Sequence, residues 1–222
     1  MEFDQFADDY KQVLDKSVAF SGEPSSYFAE YKARYLARLL GGEFRGKVLD
    51  FGCGVGLLSG FLKKYFPRAR IEGFDLSRES IRQVEAGLTQ QGLFTSDLSL
   101  VARDYDLIVA ANVIHHVAPG ERQSVFDGLA ARLVPGGRIA VFEHNPTNPA
   151  TRWLVEHCPF DRGVVLLPRT EAEAYLNRAR LRRLRGDYIV FMPRFLAWFR
   201  PLEPWLVWLP LGAQYVLVGQ KQ

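Results

Sequence analysis

Apolar positions along this chain follow two rhythms. In residues 1–42 they recur at helical spacing, first Phe3, Phe6 and Tyr10, then Phe28, Tyr31, Tyr35 and Leu39. The stretch 21–26, with Gly22 and Pro24, separates the two runs. Beyond it, short apolar runs alternate with helical patterns. Residues 48–51, 69–74 and 105–111 read as buried strands, and 133–143 as a helix end, a Pro-Gly-Gly turn and a strand. Helices are expected after residue 56 (Leu58, Phe61, Leu62, Tyr65), near 78–90 (Ile81, Val84, Leu88) and near 120–133 (Val125, Leu129, Leu133). Thr170 and Glu173 form a capping-box pattern that opens a helix with Ala172, Tyr175, Leu176 and Ala179 inward. Residues 187–192 and 214–218 read as two last strands. Strand and helix in alternation predict an α/β domain around a mostly parallel sheet.

The first strand leads into Asp50-Phe51-Gly52-Cys53-Gly54-Val55-Gly56, with glycine at every second position. Glycine is needed where backbone turns sharply or meets a ligand that a Cβ would block. In an α/β unit this loop is a nucleotide-like cofactor site. The dinucleotide fingerprint requires a third glycine at position 57, where this chain has Leu57. Asp50, two residues before the first glycine, suits a cationic ligand group and sits poorly beside a pyrophosphate. S-adenosylmethionine (SAM) carries an ammonium and a sulfonium and no phosphate. Asp75, roughly 20 positions beyond the glycine loop, is placed to hydrogen-bond a ribose diol.

This run closely resembles the first motif of class I SAM-dependent methyltransferases. Asp75-Leu76, the strand exit Asn112-Val113-Ile114-His115-His116 and the turn Pro135-Gly136-Gly137 extend the resemblance in register over residues 44–145. It implies a doubly wound, Rossmann-like sheet of seven strands, with an antiparallel seventh strand inserted between the fifth and sixth. Residues 1–42 become a helical lid, 44–145 the cofactor-binding core, and 146–222 a substrate-side half. The implied cofactor site comprises Asp50, Gly52, Cys53, Gly54, Gly56, Asp75 and Asn112. Leu76 packs on adenine, Asp97 reads its amino group, and Tyr10 reaches the methionine end. Tyr27, Tyr31 and Lys32 line the same pocket.

The implied reaction moves the SAM methyl to an oxygen or nitrogen of a small-molecule acceptor and leaves S-adenosylhomocysteine. A protonated acceptor needs a base, and histidine is tuned for that role near neutrality. His115 is expected to face the substrate with His116 in support, and Glu143 or His144, leaving the fifth strand, to orient the base or bind the acceptor. A nicotinamide-dependent oxidoreductase shares this kind of fold, but Leu57 and Asp50 oppose it. A non-catalytic SAM-binding protein would share the cofactor half.

Composition narrows the classes further. The chain has 222 residues, one domain's length, and a net charge of +3, too small by itself to imply nucleic acid. The motif by which amino-methylating DNA enzymes hold a flipped base is absent at Asn112, and no nucleic-acid partner is expected. Cys53 and Cys158 form no disulfide framework, which is compatible with a reducing cytoplasm, and the acidic start lacks the plan of a signal peptide. No Cys/His spacing suggests zinc and no carboxylate set suggests magnesium, so no metal is expected. The basic cluster Arg178, Arg180, Arg182, Arg183 and Arg185 reads as a solvated helix face. Residues 194–211 hold three of the four tryptophans, broken by prolines. This insertion between the last two strands suits an appended subdomain, a pocket wall admitting an apolar or lipid-like acceptor, a homodimer contact or a peripheral membrane contact.

Overall fold

A computed structural model of the chain describes residues 10–158, 161 and 163–222. Seven strands form one sheet in the order β3-β2-β1-β4-β5-β7-β6. They are β1 (Lys47–Phe51), β2 (Arg70–Phe74), β3 (Phe94–Thr95), β4 (Tyr105–Ala111), β5 (Leu133–His144), β6 (Leu181–Ile189) and β7 (Gln214–Lys221). β1 to β5 pair in parallel, and β7 runs antiparallel between β5 and β6. This is the implied doubly wound, seven-stranded Rossmann-like sheet.

The helices are α1 (Tyr10–Val18), α2 (Ser25–Leu40), α3 (Leu57–Tyr65), α4 (Arg78–Arg82), α5 (Ala86–Thr89), α6 (Arg122–Arg132), α7 (Pro149–His157), α8 (Arg169–Arg178) and α9 (Glu203–Leu206). Strand side chains alternate between faces, so β4 sends Leu107 and Val109 to one core and Ile108 and Ala110 to the other. The first core is closed by Ala29, Ala33 and Leu36 of α2 and by Leu58 and Leu62 of α3. The second is closed by Phe126 and Leu129 of α6 and by Ala172 and Leu176 of α8. Burial on both faces is why β4 is apolar throughout its middle instead of alternating. Among the described residues no helix is long and apolar enough to cross a membrane.

Several elements differ from the sequence reading. The helix expected over 78–90 is two short helices, because Glu85 takes extended backbone (φ −52°, ψ 134°). That turn lets Val84 and Leu88 both pack beneath Gly56. The capping box at Thr170 is not used: the N-cap of α8 is Pro168, two residues earlier, with no side-chain cap. Phe126, not Val125, is the fully buried apolar residue of α6. The sixth strand covers 181–189 instead of 187–192, since Val190 turns to φ 61° and ends it. Arg182, Arg183 and Arg185 therefore lie on an edge strand and not on a helix face. Charge there suits an edge, where it discourages pairing with another chain.

The proline-broken insertion is a set of tight turns over Arg194–Leu202, kinked at Leu196, followed by α9. Its aromatics point outward. Phe195, Trp198, Trp205 and Trp208 are all more than 70% exposed, so the tryptophans form no pocket wall.

Candidate active site

The loops at the carboxyl ends of β1, β2, β4 and β5 meet over one crevice, as the parallel order requires. The glycine loop is fixed from below. The amides of Gly52 and Cys53 both donate to the Phe74 carbonyl (2.7 and 3.0 Å), and the Gly54 amide donates to Asp75 Oδ2 (2.8 Å). Gly52 has φ 76°, and a Cβ there would lie 2.2 Å from Val113 Cγ2. Gly54 and Gly56 also have positive φ. Ser77, whose amide donates to the other Asp75 oxygen (2.9 Å), caps α4 by accepting from the Ser80 amide. Asp75 thus ties loop to strand end.

An open cavity of about 300 Å³ extends from this loop. Asp50, Gly52, Cys53, Lys32 and Asn112 line its cofactor end; His144 and Asp161 line it as well, and Phe20, Phe28 and Phe191 supply apolar wall. Asn112 is held at φ 57°, and its buried Oδ1 has no hydrogen-bond partner. The Gln214 Oε1, also in the wall, is likewise unpartnered. Unpaired buried acceptors are costly and mark where a ligand's donors belong. Tyr27 and Lys32 line the cavity, whereas the Tyr31 hydroxyl donates to Glu203 (3.1 Å) on another side of α2.

Asp50 and Lys32 are both buried. Burial lifts Asp50 to about 7 against the pull of the Ser59 hydroxyl, which donates to it at 2.6 Å. Burial lowers Lys32 to about 8, although Glu143 and Asp50 work to keep it charged. Lys32 shares the inner stripe of α2 with Ala29, Ala33 and Leu36, and makes no hydrogen bond among the described residues. Burial raises the Cys53 thiol, which is therefore a filler and no thiolate.

The histidines are arranged otherwise than the sequence suggests. His115 is buried behind the cavity wall. Its Nδ1 lies 2.5 Å from Glu143 and its Nε2 3.3 Å from Asp161. The two carboxylates outweigh desolvation and raise His115 to about 9. A ring protonated between two anions accepts no proton, so His115 is neither substrate-facing nor a base at neutral pH. Glu143 is saturated, its other oxygen accepting from the amides of Val113 and Ile114 (3.1 and 2.7 Å). Burial would raise Glu143 and Asp161, yet the His115 charge holds both below the usual carboxylate range. His116, 3.4 Å from Asp161, and His144 are pushed down to about 4, by burial first and then by charged His115. Buried Arg122 braces this turn by donating to the carbonyls of Val117 (3.0 Å) and Val165. Asn145 is occupied with the tail, its amide nitrogen donating to Gly212 (2.8 Å).

Asp161 and Lys32 are the wall groups that sequence reasoning missed or named only in passing. Lys32 carried a signal, a cation on an apolar helical stripe. Asp161 carried none, sitting in an irregular segment after α7. Asp97 is exposed and does not line the cavity; its Oδ1 accepts from the amide and hydroxyl of Ser99 (2.9 and 2.7 Å). Leu76 is exposed beside Asp75. The contact expected of the Tyr10 side chain lies outside the described residues.

Residues 49–139 match a family model described as a methyltransferase domain. The ribosomal RNA small subunit methyltransferase C of Vibrio parahaemolyticus is 41% identical over 75 residues, which is 32% of this chain and 22% of that protein. The chain spans less than half the length of the curated relatives of that name from Vibrio, Salmonella and Enterobacter. These relatives overturn the expectation that nucleic acid has no place here. A small net charge does not describe how charge is distributed, and the missing flipped-base motif concerns one class of DNA enzymes only. Among solved structures, a SAM-dependent methyltransferase from Archaeoglobus fulgidus superposes with TM-score 0.68 at 16% identity, over 89% of this chain and 95% of that one. Magnesium protoporphyrin IX methyltransferase from Synechocystis, solved with bound S-adenosylhomocysteine, superposes with TM-score 0.65 at 16% identity, over 93% and 86% of the two chains. With the glycine loop, the Asp75 tie and the inserted antiparallel strand, residues 49–139 form a methyltransferase domain, in a chain whose fold is that of solved SAM-dependent methyltransferases.

Proposed function

We propose that this chain transfers the methyl group of SAM to an oxygen or nitrogen of a compact acceptor with an apolar body. The observation that carries the reading is the continuity of one cavity, from the glycine loop and Asp50 to the wall formed by His144 and Asp161. When bound, SAM supplies an electrophilic methyl on a sulfonium whose charge vanishes during transfer. The residues at the cofactor end fit it. Asp50 takes the α-ammonium and Lys32 the carboxylate, while outside the cavity lining Asp75 takes the ribose diol and Leu76 lies against the adenine. Asn112 and Gln214 offer their unpartnered oxygens to its donors. Residues 10–40 close this end from above.

At the far end, His144 and Asp161 meet the acceptor, while His115 and Glu143 hold Asp161 in place from behind. His144 is neutral at pH 7 but a weak base, as is Asp161, so the wall positions the nucleophile instead of stripping a strongly held proton. Holding nucleophile and methyl in line is a proximity effect that supplies ~7–11 kcal/mol. A second reading, an RNA base as acceptor, rests on the names of the matched ribosomal RNA methyltransferases. Calorimetry with S-adenosylhomocysteine, SAM and NAD tests the cofactor half. We expect micromolar binding of the first two, weakened by ~1–3 kcal/mol in Asp75→Ala, the cost of unpaired hydroxyls and amides. Tight NAD binding alone sinks the reading. Methyl-labelled SAM, offered with a metabolite extract and separately with ribosomal RNA, assigns the acceptor by which fraction takes the label.

A further inference from the structure

Three of the four histidines in the chain surround one carboxylate. His115 and His116 come from the turn after β4, His144 from the end of β5, and Asp161 from the segment after α7. The Nε2 of His115 and the Nε2 of His116 lie 3.3 and 3.4 Å from Asp161 Oδ1. One ring nitrogen each of His115 and His144 and one oxygen of Asp161 all fall within 4.8 Å of one another. The spacing rules that found no metal motif could not see this set, because its members lie 29 and 17 residues apart along the chain, from 115 to 144 and from 144 to 161.

We infer that His115, His144 and Asp161 form a binding site for a divalent first-row transition ion, opening on the acceptor end of the cavity. The inference deepens the methyltransferase reading but does not depend on it. Four features carry it. The donors are imidazole and carboxylate, a set suited to zinc and its neighbours and poorly suited to magnesium or calcium. Ligand bonds of ~2.0–2.2 Å in tetrahedral geometry place ligand atoms ~3.4 Å apart. The His115–Asp161 pair already stands at 3.3 Å, so an ion has to displace the Nε2 proton to solvent and draw His144 inward. Glu143 holds His115 Nδ1 at 2.5 Å and so aims Nε2 at the site, the carboxylate–histidine arrangement that orients metal-binding imidazoles. Glu143 is itself fixed by two backbone amides, so the orientation is set before any ion arrives. Finally, His144 and Asp161 line the cavity whereas His115 and Glu143 do not. Three protein ligands with the remaining position toward the cavity is the open arrangement of a catalytic and not a structural site. An ion there would take the acceptor's oxygen or nitrogen as its next ligand, which supplies the activation that the weakly basic wall does not.

The experiment is titration of chelator-treated, full-length protein with Zn²⁺ by calorimetry and with Co²⁺ by visible absorption. S-adenosylhomocysteine affinity and melting temperature are read on the same samples. The expected result is one equivalent bound, with ligand-field bands for Co²⁺. Binding should weaken at least tenfold in His144→Ala and in Asp161→Asn, and about 10–100-fold in Glu143→Gln, the usual loss when a supporting hydrogen bond is removed. His157→Ala, exposed at the end of α7, should bind as the parent does. Absence of a one-equivalent site overturns the inference, as does unchanged affinity in both His144→Ala and Asp161→Asn. Intact S-adenosylhomocysteine binding beside failed metal binding overturns the metal site alone. The reverse pattern overturns the cofactor reading and leaves the metal site standing.

Discussion

At the scale of single residues, the cofactor end is governed by two buried charges. Asp50 sits at about 7 and Lys32 at about 8, both displaced by burial. If Asp50 meets an ammonium, it must lose its proton on binding, so affinity falls as pH drops below 7, by up to tenfold per unit. If Lys32 meets a carboxylate, affinity falls again as pH rises above 8. S-adenosylhomocysteine binding should therefore peak between these values. Asp50→Asn should flatten the acid limb and Lys32→Met the alkaline one; calorimetry from pH 5.5 to 9 checks both, and a flat profile in the parent protein refutes the assignment. Lys32 also costs stability when nothing binds it. Its folded pKa is depressed, so the unfolded chain holds more protons between pH 8 and the ordinary lysine range, and stability rises with pH across that window. Replacing a buried, unpaired ammonium by an apolar chain of similar length is stabilising. Lys32→Met should raise the free protein's stability by ~1–3 kcal/mol at pH 7 while weakening ligand binding. A lowered melting temperature would mean instead that Lys32 is a structural counter-ion for Glu143 and Asp50.

At the scale of elements, the glycine loop is fixed by sterics. Gly52→Ala adds a Cβ 2.2 Å from Val113 and forces an alanine to φ 76°. Left-handed backbone costs an L-residue roughly 1–2 kcal/mol and overpacking typically 1–3. Thermal melts should show a loss of ~2–5 kcal/mol, partly recovered by adding Val113→Ala, which clears the clash but not the backbone strain. This loop and its neighbours were readable in the sequence because their signals are local. Alternating glycines, an acid ending the strand and apolar runs of strand length each depend on a few adjacent residues. Asp161 was not readable, because its partners His115 and His116 reach it only through the order in which strands sit in the sheet. His115 was misread for the same reason: strand alternation gives a direction, but not which carboxylates wait there. The early start of β6 was hidden because an edge strand can carry Arg182, Arg183 and Arg185 without apolar alternation. The helix over 78–90 failed at Glu85, where packing of Val84 and Leu88 under the glycine loop overrides helix propensity.

At the scale of the whole molecule, the aromatic tail is fastened by polar groups and turned outward. Buried Glu203 accepts from the amides of Phe191 and Met192 (3.1 and 3.0 Å) and from the Tyr31 hydroxyl. Arg200 bridges Glu23 (2.8 Å) and lies over the Tyr27 ring. The tryptophans contribute little to that anchoring, since Trp198, Trp205 and Trp208 are 74%, 71% and 71% exposed, and Trp153 on α7 is 54% exposed. These are all four tryptophans of the chain, so intrinsic fluorescence reads solvent-facing indoles, three on this tail and one on α7. The isolated chain should emit at the long wavelength of hydrated indole, be quenched freely by acrylamide, and shift little on unfolding. Trp205→Ser and Trp208→Ser should change stability by no more than ~0.5 kcal/mol, as surface substitutions do. Phe126→Ala, at the centre of the second core, should cost ~3–5 kcal/mol. A blue-shifted, protected emission in the native protein would show that something covers this face in solution. The serine variants would then lose stability in proportion to the cover they remove, whereas an uncovered face leaves both measurements at the values of free surface.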